Sequence, residues 1–207
     1  MTSEGERKRL RDLQIGDSVL AVNSAGQFEF SPVILFLDRD PEEIRQFFKI
    51  RTESGQTLEV TPNHLIYASP EKLAEAADFE ALYAKDIREG DFILVHLRGQ
   101  LEAVRVTDIE MRVLTGVYAP MTSAGNLVVD NVVVSCYALI DSQAVAHAAF
   151  APLRWWSYLS SAASEAENEV STEGAAESVK GIHWYANALY EVAKVVWPRH
   201  LYNENEP

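Results

Sequence analysis

Arg11-Asp12-Leu13-Gln14-Ile15-Gly16-Asp17-Ser18-Val19-Leu20-Ala21-Val22 returns later in the chain as Lys85-Asp86-Ile87-Arg88-Glu89-Gly90-Asp91-Phe92-Ile93-Leu94-Val95. Both stretches read basic-Asp-apolar-x-x-Gly-Asp-x-apolar-Leu, and Gly16 and Gly90 are 74 positions apart. Outward from these two segments the likeness continues. Gly26 in a polar turn matches Gly99, 73 positions on, and Thr52-Glu53-Ser54-Gly55 resembles Thr122-Ser123-Ala124-Gly125, with 70 positions between the glycines. One such match could be chance. Three in the same order, with the offset shrinking slowly, indicate an internal duplication in which the second copy lost a few loop residues.

Each copy reads as β-structure. Ser18 to Val22 and Phe92 to Val95 follow Gly-Asp turns, and Ser31 to Leu37 is apolar and β-branched. Thr57-Leu58-Glu59-Val60 and Leu127-Val128-Val129 follow glycine turns, and Val132 to Ala138 reads as a core strand. Short apolar runs separated by glycine-bearing turns signal hairpins. Two intertwined all-β halves sharing one core are therefore the expected architecture. Residues 69–83 are an insertion in the first copy, with a short helical turn expected over Lys72 to Ala77.

The character of the chain changes after Ile140. Residues 143–159 are alanine-bearing and carry Trp155-Trp156-Ser157-Tyr158, and residues 160–179 hold five glutamates and no basic residue, the composition of a linker. Ile182, Tyr185, Ala186, Leu189, Ala193 and Val196 then recur at three- and four-residue steps, a helical stripe that Pro198 ends. A boundary is placed at residue 142, with a β-domain over 1–142 and a helical appendage over 143–207.

Composition narrows the possibilities. The chain has 207 residues, 47% hydrophobic and 24% charged, enough for one core plus a small appendage. A net charge of -13 leaves no basic surface able to neutralise phosphates, so no nucleic-acid partner is expected. Cys136 is the one cysteine, which excludes an internal disulfide and a cysteine-based zinc cluster. His96, His147, His183 and His200 have no metal-ligand spacing among themselves, and neither a metal nor a cofactor is expected. The polar start from Met1 to Glu6 resembles neither a signal nor a transit peptide, and no run of about 18 apolar residues suggests a spanning helix.

The chemistry concentrates at Thr61-Pro62-Asn63-His64. The second copy has Asp130-Asn131-Val132-Val133-Val134 in that place, without a histidine. An imidazole moves protons near neutral pH, so a histidine in only one of two related copies invites a functional reading. On the residue alone, a hydrogen-bonded core histidine is the competing reading.

Leu13-Gln14-Ile15-Gly16-Asp17, Val33 to Arg39, Thr61-Pro62-Asn63-His64-Leu65 and Ser135-Cys136-Tyr137-Ala138 resemble successive blocks of the Hedgehog carboxy-terminal processing domain, whose Hint fold is shared with inteins. Gly181-Ile182-His183-Trp184-Tyr185-Ala186-Asn187-Ala188-Leu189-Tyr190 resembles a block of the same family's sterol-recognition region. The resemblance implies a mainly β fold: a pseudo-twofold, duplicated Hint β-domain with a small helical carboxy-terminal appendage.

It also implies a two-step reaction. An amino-terminal cysteine attacks the preceding carbonyl to give a thioester, and the hydroxyl of cholesterol then attacks the thioester, releasing a sterol-modified signalling domain. This splits one hard displacement into two easier ones. By resemblance, His64 would donate a hydrogen bond or proton at the scissile amide, Thr61 would hold that amide polarised, and Asp38 would be the general base on the sterol hydroxyl. Cys136 would lie close to the catalytic centre and tune or trap the nucleophile; read without the resemblance, it is a buried small hydrophobe. Asp38, likewise, reads without it as a solvated turn residue.

Trp155, Trp156, Trp184 and Tyr185 would contact sterol or a membrane surface, or pack a helical hairpin on itself or on the β-domain. The implied partners are cholesterol and an upstream signalling domain in the same precursor. The implied location is the secretory pathway, at the endoplasmic reticulum. The family's nucleophilic cysteine would lie upstream of Met1. Cys136 cannot replace it, because the acyl shift needs a thiol one peptide bond from the scissile carbonyl, so the chain from Met1 onward is expected not to cleave itself. An incomplete sequence, a trimmed one or a degenerate copy would each explain this, and the presence of Thr61, His64 and Asp38 favours incompleteness. Two other functions fit the residues: an intein-like domain that does not use sterol, and a non-catalytic module that binds sterol or membrane through residues 143–200.

Overall fold

The computed structural model describes residues 1–72 and 78–137, together with 151 and 181–182. Within them the chain forms ten strands: β1 (Ser18–Val22), β2 (Phe28–Thr52), β3 (Thr57–Val60), β4 (Leu65–Ser69), β5 (Glu80–Tyr83), β6 (Phe92–Leu97), β7 (Gln100–Thr122), β8 (Asn126–Val129), β9 (Val132–Ser135) and β10 (Gly181–Ile182). Short 3-10 turns at Leu10–Asp12 and Ala84–Asp86 precede β1 and β6.

The duplication read from the sequence is present in the backbone hydrogen bonds. Gly16 N–H donates to Val33 O at 2.8 Å and Val33 N–H to Asp17 O at 2.8 Å. In the second copy Gly90 N–H donates to Val106 O at 2.9 Å and Val106 N–H to Asp91 O at 2.7 Å. Asp17 and Asp91 each accept a bond from the backbone three residues earlier, Gln14 at 2.7 Å and Arg88 at 2.8 Å. Gly16 and Gly90 have φ of +93° and +99°, a region open to glycine and costly for a residue with a Cβ. The Gly-Asp pair thus makes the same sharp entry into the strand region twice.

Strands β1 to β4 correspond in order to β6 to β9. The long members, β2 and β7, run antiparallel to each other from Val33↔Thr122 to Thr52↔Val106 and join the two copies. A straight strand of that length would extend about 80 Å. The two instead bend through irregular register steps, among them one between Asp40 and Ile44, where extra residues on β2 are accommodated. The strand order is β1-β2-β7-β6-β4-β9-β8, with β3 and β10 also on β2 and β5 on β4. β4 therefore pairs with β6 and β9 of the other copy, which interlocks the halves.

Alternation along the strands builds the core. Ile93 and Val95 of β6 and Val132 and Val134 of β9 face the main cluster with Val33, Ile50, Ile66, Val106 and Met121. The intervening Phe92, Leu94 and Val133 face a second, smaller cluster with Phe79. β6 and β9 are covered on both faces, which is why they read as continuous apolar runs. Ile50, Leu65, Ile66, Ile93, Val95, Met121 and Val132 have no exposed surface. Removing such a side chain to Ala costs about 2–5 kcal/mol for a leucine or isoleucine.

One element departs from the sequence reading. Ile182 was expected to open a helical stripe, but Gly181–Ile182 is extended and pairs antiparallel with Arg39 and Asp38 of β2. Pairing with an available strand overrides a local helical period. The rest of that stripe, the expected turn over 73–77 and the boundary at 142 lie outside the described residues.

Candidate active site

Thr61 to His64 connects β3 to β4. His64 N–H donates to Thr61 O at 3.0 Å, closing a tight turn. The turn is pinned from two sides. Ala84 N–H donates to His64 O at 2.8 Å and Lys85 N–H to Pro62 O at 3.0 Å, both from the 3-10 turn before β6. On the other side Leu65 N–H donates to Tyr137 O at 3.3 Å, and His64 Nε2 lies 2.7 Å from Ser135 O at the end of β9. A carbonyl only accepts, so Nε2 carries the hydrogen, and a neutral ring has its lone pair on Nδ1. The residue is half-buried. Burial pushes the imidazole pKa below its usual value, against the opposing effect of the bond to Ser135. The ring is therefore held neutral near pH 7 with one nitrogen fixed and the other able to take a proton. Thr61 is half-buried beside it.

Cys136 follows Ser135 directly and is buried. Its backbone N–H donates to Gly125 O at 2.9 Å. Its Sγ accepts from Thr122 N–H at 3.5 Å and lies 3.7 Å from Thr122 Oγ1, which itself donates to Asn126 O at 2.7 Å. Asn126 is the strand partner of Ser135. Its side chain makes two bonds of 2.8 Å to the backbone of Val22, one in each direction. The beginning of the chain runs alongside β1: Thr2 bridges Val19, and Leu20 N–H donates to Met1 O at 2.9 Å. A continuous path of bonds thus leads from the chain's start through β1 and Asn126 to Ser135 and His64.

Asp38 lies elsewhere on the same strand system. Its β7 partner is Ala119, three residues from Thr122, or about 10 Å along the strand. The residue is 8% exposed. One oxygen, Oδ2, is 3.0 Å from the Arg45 guanidinium, and Oδ1 is buried without a hydrogen-bond partner among the described residues. Burial raises the carboxyl pKa above its usual value; Arg45 and the Arg39 backbone oppose the rise, and Glu43 adds to it. A carboxylate that is desolvated, and thereby made more basic, suits a general base.

The structure therefore gathers Thr61, His64 and Cys136 around the end of β9 and places Asp38 further along β2. Trp155, Trp156, Trp184 and Tyr185 lie outside the described residues. Among the described residues no cluster of three or more His, Cys, Asp or Glu could hold a metal ion, and no helix is long and apolar enough to cross a membrane.

Comparison with known proteins places this geometry. The model of the Hint module matches residues 1–198. The chain belongs to the Hint family. Among similar proteins, Protein hedgehog of Drosophila virilis is 39% identical over 208 residues, covering 96% of this chain and 42% of its own length. Protein hedgehog of Drosophila melanogaster is 38% identical over 204 residues, covering 96% and 43% respectively. The chain thus spans less than half the length of these relatives. The Hint fold also appears in the DnaB intein from Synechocystis sp. PCC 6803, with a TM-score of 0.53 at 16% identity over 64% of this chain and 89% of the intein. The PabCDC21-1 intein matches with a TM-score of 0.50 at 15% identity over 65% of this chain and 92% of that one. Family and fold agree on the Hint architecture, and the duplicated β architecture expected from the sequence is the one observed.

Three participants escaped the sequence reading. Ser135 acts through its backbone carbonyl, which leaves no trace in residue identity. Asn126 uses its side chain to bond the Val22 backbone of β1. Arg45 is seven residues from Asp38, a spacing that puts the two on opposite faces of a straight strand; only the irregular step between Asp40 and Ile44 brings them together.

Proposed function

We propose that this chain is the processing part of a Hedgehog-type precursor. With a cysteine upstream of Met1, it acts as a single-turnover cholesterol transferase. The observation that carries the reading is His64: a neutral imidazole with Nε2 fixed on the carbonyl of Ser135, the residue before Cys136, at the turn beside Thr61 and with no counterpart at the matching place of the second copy. A segment continuing upstream from Met1 in the same antiparallel sense would run toward Val22, and so toward Asn126 and Ser135.

In the first step the cysteine sulfur bonds to the preceding carbonyl carbon. The imidazole takes up the thiol proton and delivers it to the departing amide nitrogen as the carbon–nitrogen bond breaks. Thr61 would polarise that amide. In the second step Asp38 takes the proton of the cholesterol hydroxyl as its oxygen displaces the thioester sulfur. Cys136, buried against Thr122, would line the same centre. Trp155, Trp156, Trp184 and Tyr185 would contact the sterol, with residues 143–207 approaching a membrane. The reaction would take place in the secretory pathway, on an upstream signalling domain in the same chain. The names of the Drosophila relatives support this context.

The test uses the whole precursor, with its upstream cysteine, incubated with cholesterol or with dithiothreitol and followed by mass spectrometry of the released domain. Cholesterol should appear as an ester on the released fragment. Asp38→Ala should block that product and leave thiol cleavage intact. Equal loss of both products would remove Asp38 from its role, and no cleavage with either nucleophile would overturn the reading.

A further inference from the structure

Arg45 and Asp38 meet because β2 is not straight. Seven residues at strand rise would separate their backbones by about 23 Å, more than the two side chains can span together. Between Asp40↔Val117 and Ile44↔Thr115 the β2 chain spends two more residues than β7, folding Pro41 to Glu43 out of the ladder. The step is tightly built: a Cβ on Gly116, which has φ of +99°, would lie 3.0 Å from the Tyr118 ring and 3.5 Å from Pro41 O. The shortened path lets the Arg45 guanidinium reach Asp38 Oδ2 at 3.0 Å. Glu43 holds the same guanidinium in a two-pronged grip, at 2.7 Å to Nε and 2.9 Å to Nη2. Such irregularities re-aim side chains beside functional groups.

We propose that Arg45, fixed by Glu43, is a positioning residue for Asp38: it holds Oδ2, keeps the carboxyl ionised, and leaves the buried Oδ1 as the atom that takes the proton from the attacking alcohol. This rests on the reading of Asp38 as the base of the second step. In that step the alcohol oxygen bonds to the thioester carbon, its proton passes to Oδ1, the carbon–sulfur bond breaks, and the thiolate recovers the proton. The charged and titratable groups around Asp38 are Arg39, Asp40, Glu43 and Arg45 on its own strand and Tyr118 on β7; the β10 backbone pairs with Asp38 from the other side. Of these, Arg45 supplies the leading attraction that opposes desolvation of the carboxylate.

The direction of the effect follows. Without the Arg45 charge the proton is held more tightly by Asp38, so the ionised base appears only at higher pH. In the full precursor, Arg45→Gln should lower the rate of cholesterol-dependent cleavage on the acidic side of the profile, by about tenfold at a given pH there for each unit the carboxyl pKa rises. It should also move the acidic limb of the pH–rate profile upward and restore the rate at alkaline pH. Thiol-induced cleavage should be unchanged. Arg45→Lys, which keeps the charge, should return the limb toward its original position. An Arg45→Gln profile identical to that of the parent would overturn the proposal. So would equal loss of thiol- and cholesterol-dependent cleavage at every pH in both variants, which marks a merely structural role. If the parent precursor cleaves with thiol but ignores cholesterol, the reading of Asp38 as base falls, and this proposal with it.

Discussion

The two copies of the fold carry the same backbone frame and different connections. Val33 and Val106 hold equivalent places against Gly-Asp turns, and Gly55 and Gly125 close equivalent turns onto Thr52 and Thr122 at 3.0 and 3.1 Å. The copies part at the next link. β8 and β9 form a tight hairpin through Asp130 and Asn131, both with positive φ, at +49° and +67°. Two residues of that hand suit the twist of a two-residue hairpin. β3 and β4 are joined instead by four residues, Thr61 to His64, and pair with different neighbours: β3 with β2, β4 with β5, β6 and β9. Opening that hairpin frees the connection to cross to the other copy, where His64 meets Ser135. One copy keeps the closed connection and serves as frame; the other gives up the hairpin and gains a site.

That contrast can be broken at several levels. The largest effect belongs to the open connection. In the whole precursor, His64→Ala should lower thiol-induced cleavage by about a hundredfold or more, the usual contribution of a positioned acid–base group. Asn131→Gly, in the closed connection, should leave the rate of cleavage within twofold, as expected when φ stays permitted. Single-turnover kinetics on gels would measure both, and a similar loss in each would remove the asymmetry.

Next come the frame residues. Val33 and Val106 are each 1% exposed. Replacing either by Ala should cost about 2 kcal/mol, from two lost methyl groups and the cavity left behind. Urea unfolding that gives closely matched losses would support equivalence of the copies, and a large difference would show that one half carries the core. Gly16→Ala and Gly90→Ala meet no atom within 4 Å, so their cost is conformational only. Each should destabilise by about 1–2 kcal/mol through the positive φ.

The smallest effect concerns pH. His64 has a folded-state pKa below the reference value of 6.5. As pH falls through 6.5 the unfolded chain takes up the proton first, so this group weakens folding progressively below 6.5 until the folded-state pKa is passed. Above 6.5 it contributes no slope. Urea midpoints between pH 5 and 7.5 should therefore decline toward acid, and the decline should be shallower in His64→Gln. Asp38 acts in another window and with the opposite sign. Its raised pKa favours folding below the reference value of 3.8, and that contribution is lost as pH rises through the folded-state pKa.

Local signals determined much of this molecule. The repeated Gly-Asp turns, the alternation of Ile93 and Val95 against Phe92 and Leu94, and a histidine at position 64 that the second copy lacks at the matching place are properties of near neighbours in the chain. They are readable because turns demand positive φ and strands have a period of two. The tertiary structure decided what depends on distant partners. Ser135 receives His64 from 71 positions away, Asn126 reaches Val22 across 104, and Arg45 turns back to Asp38 only because β2 breaks register against β7. Ile182 left its helical period for the same cause, a free strand edge at Asp38. A backbone carbonyl, an unpaired edge and a bend have no residue type of their own, so they exist only once the two copies have closed on each other.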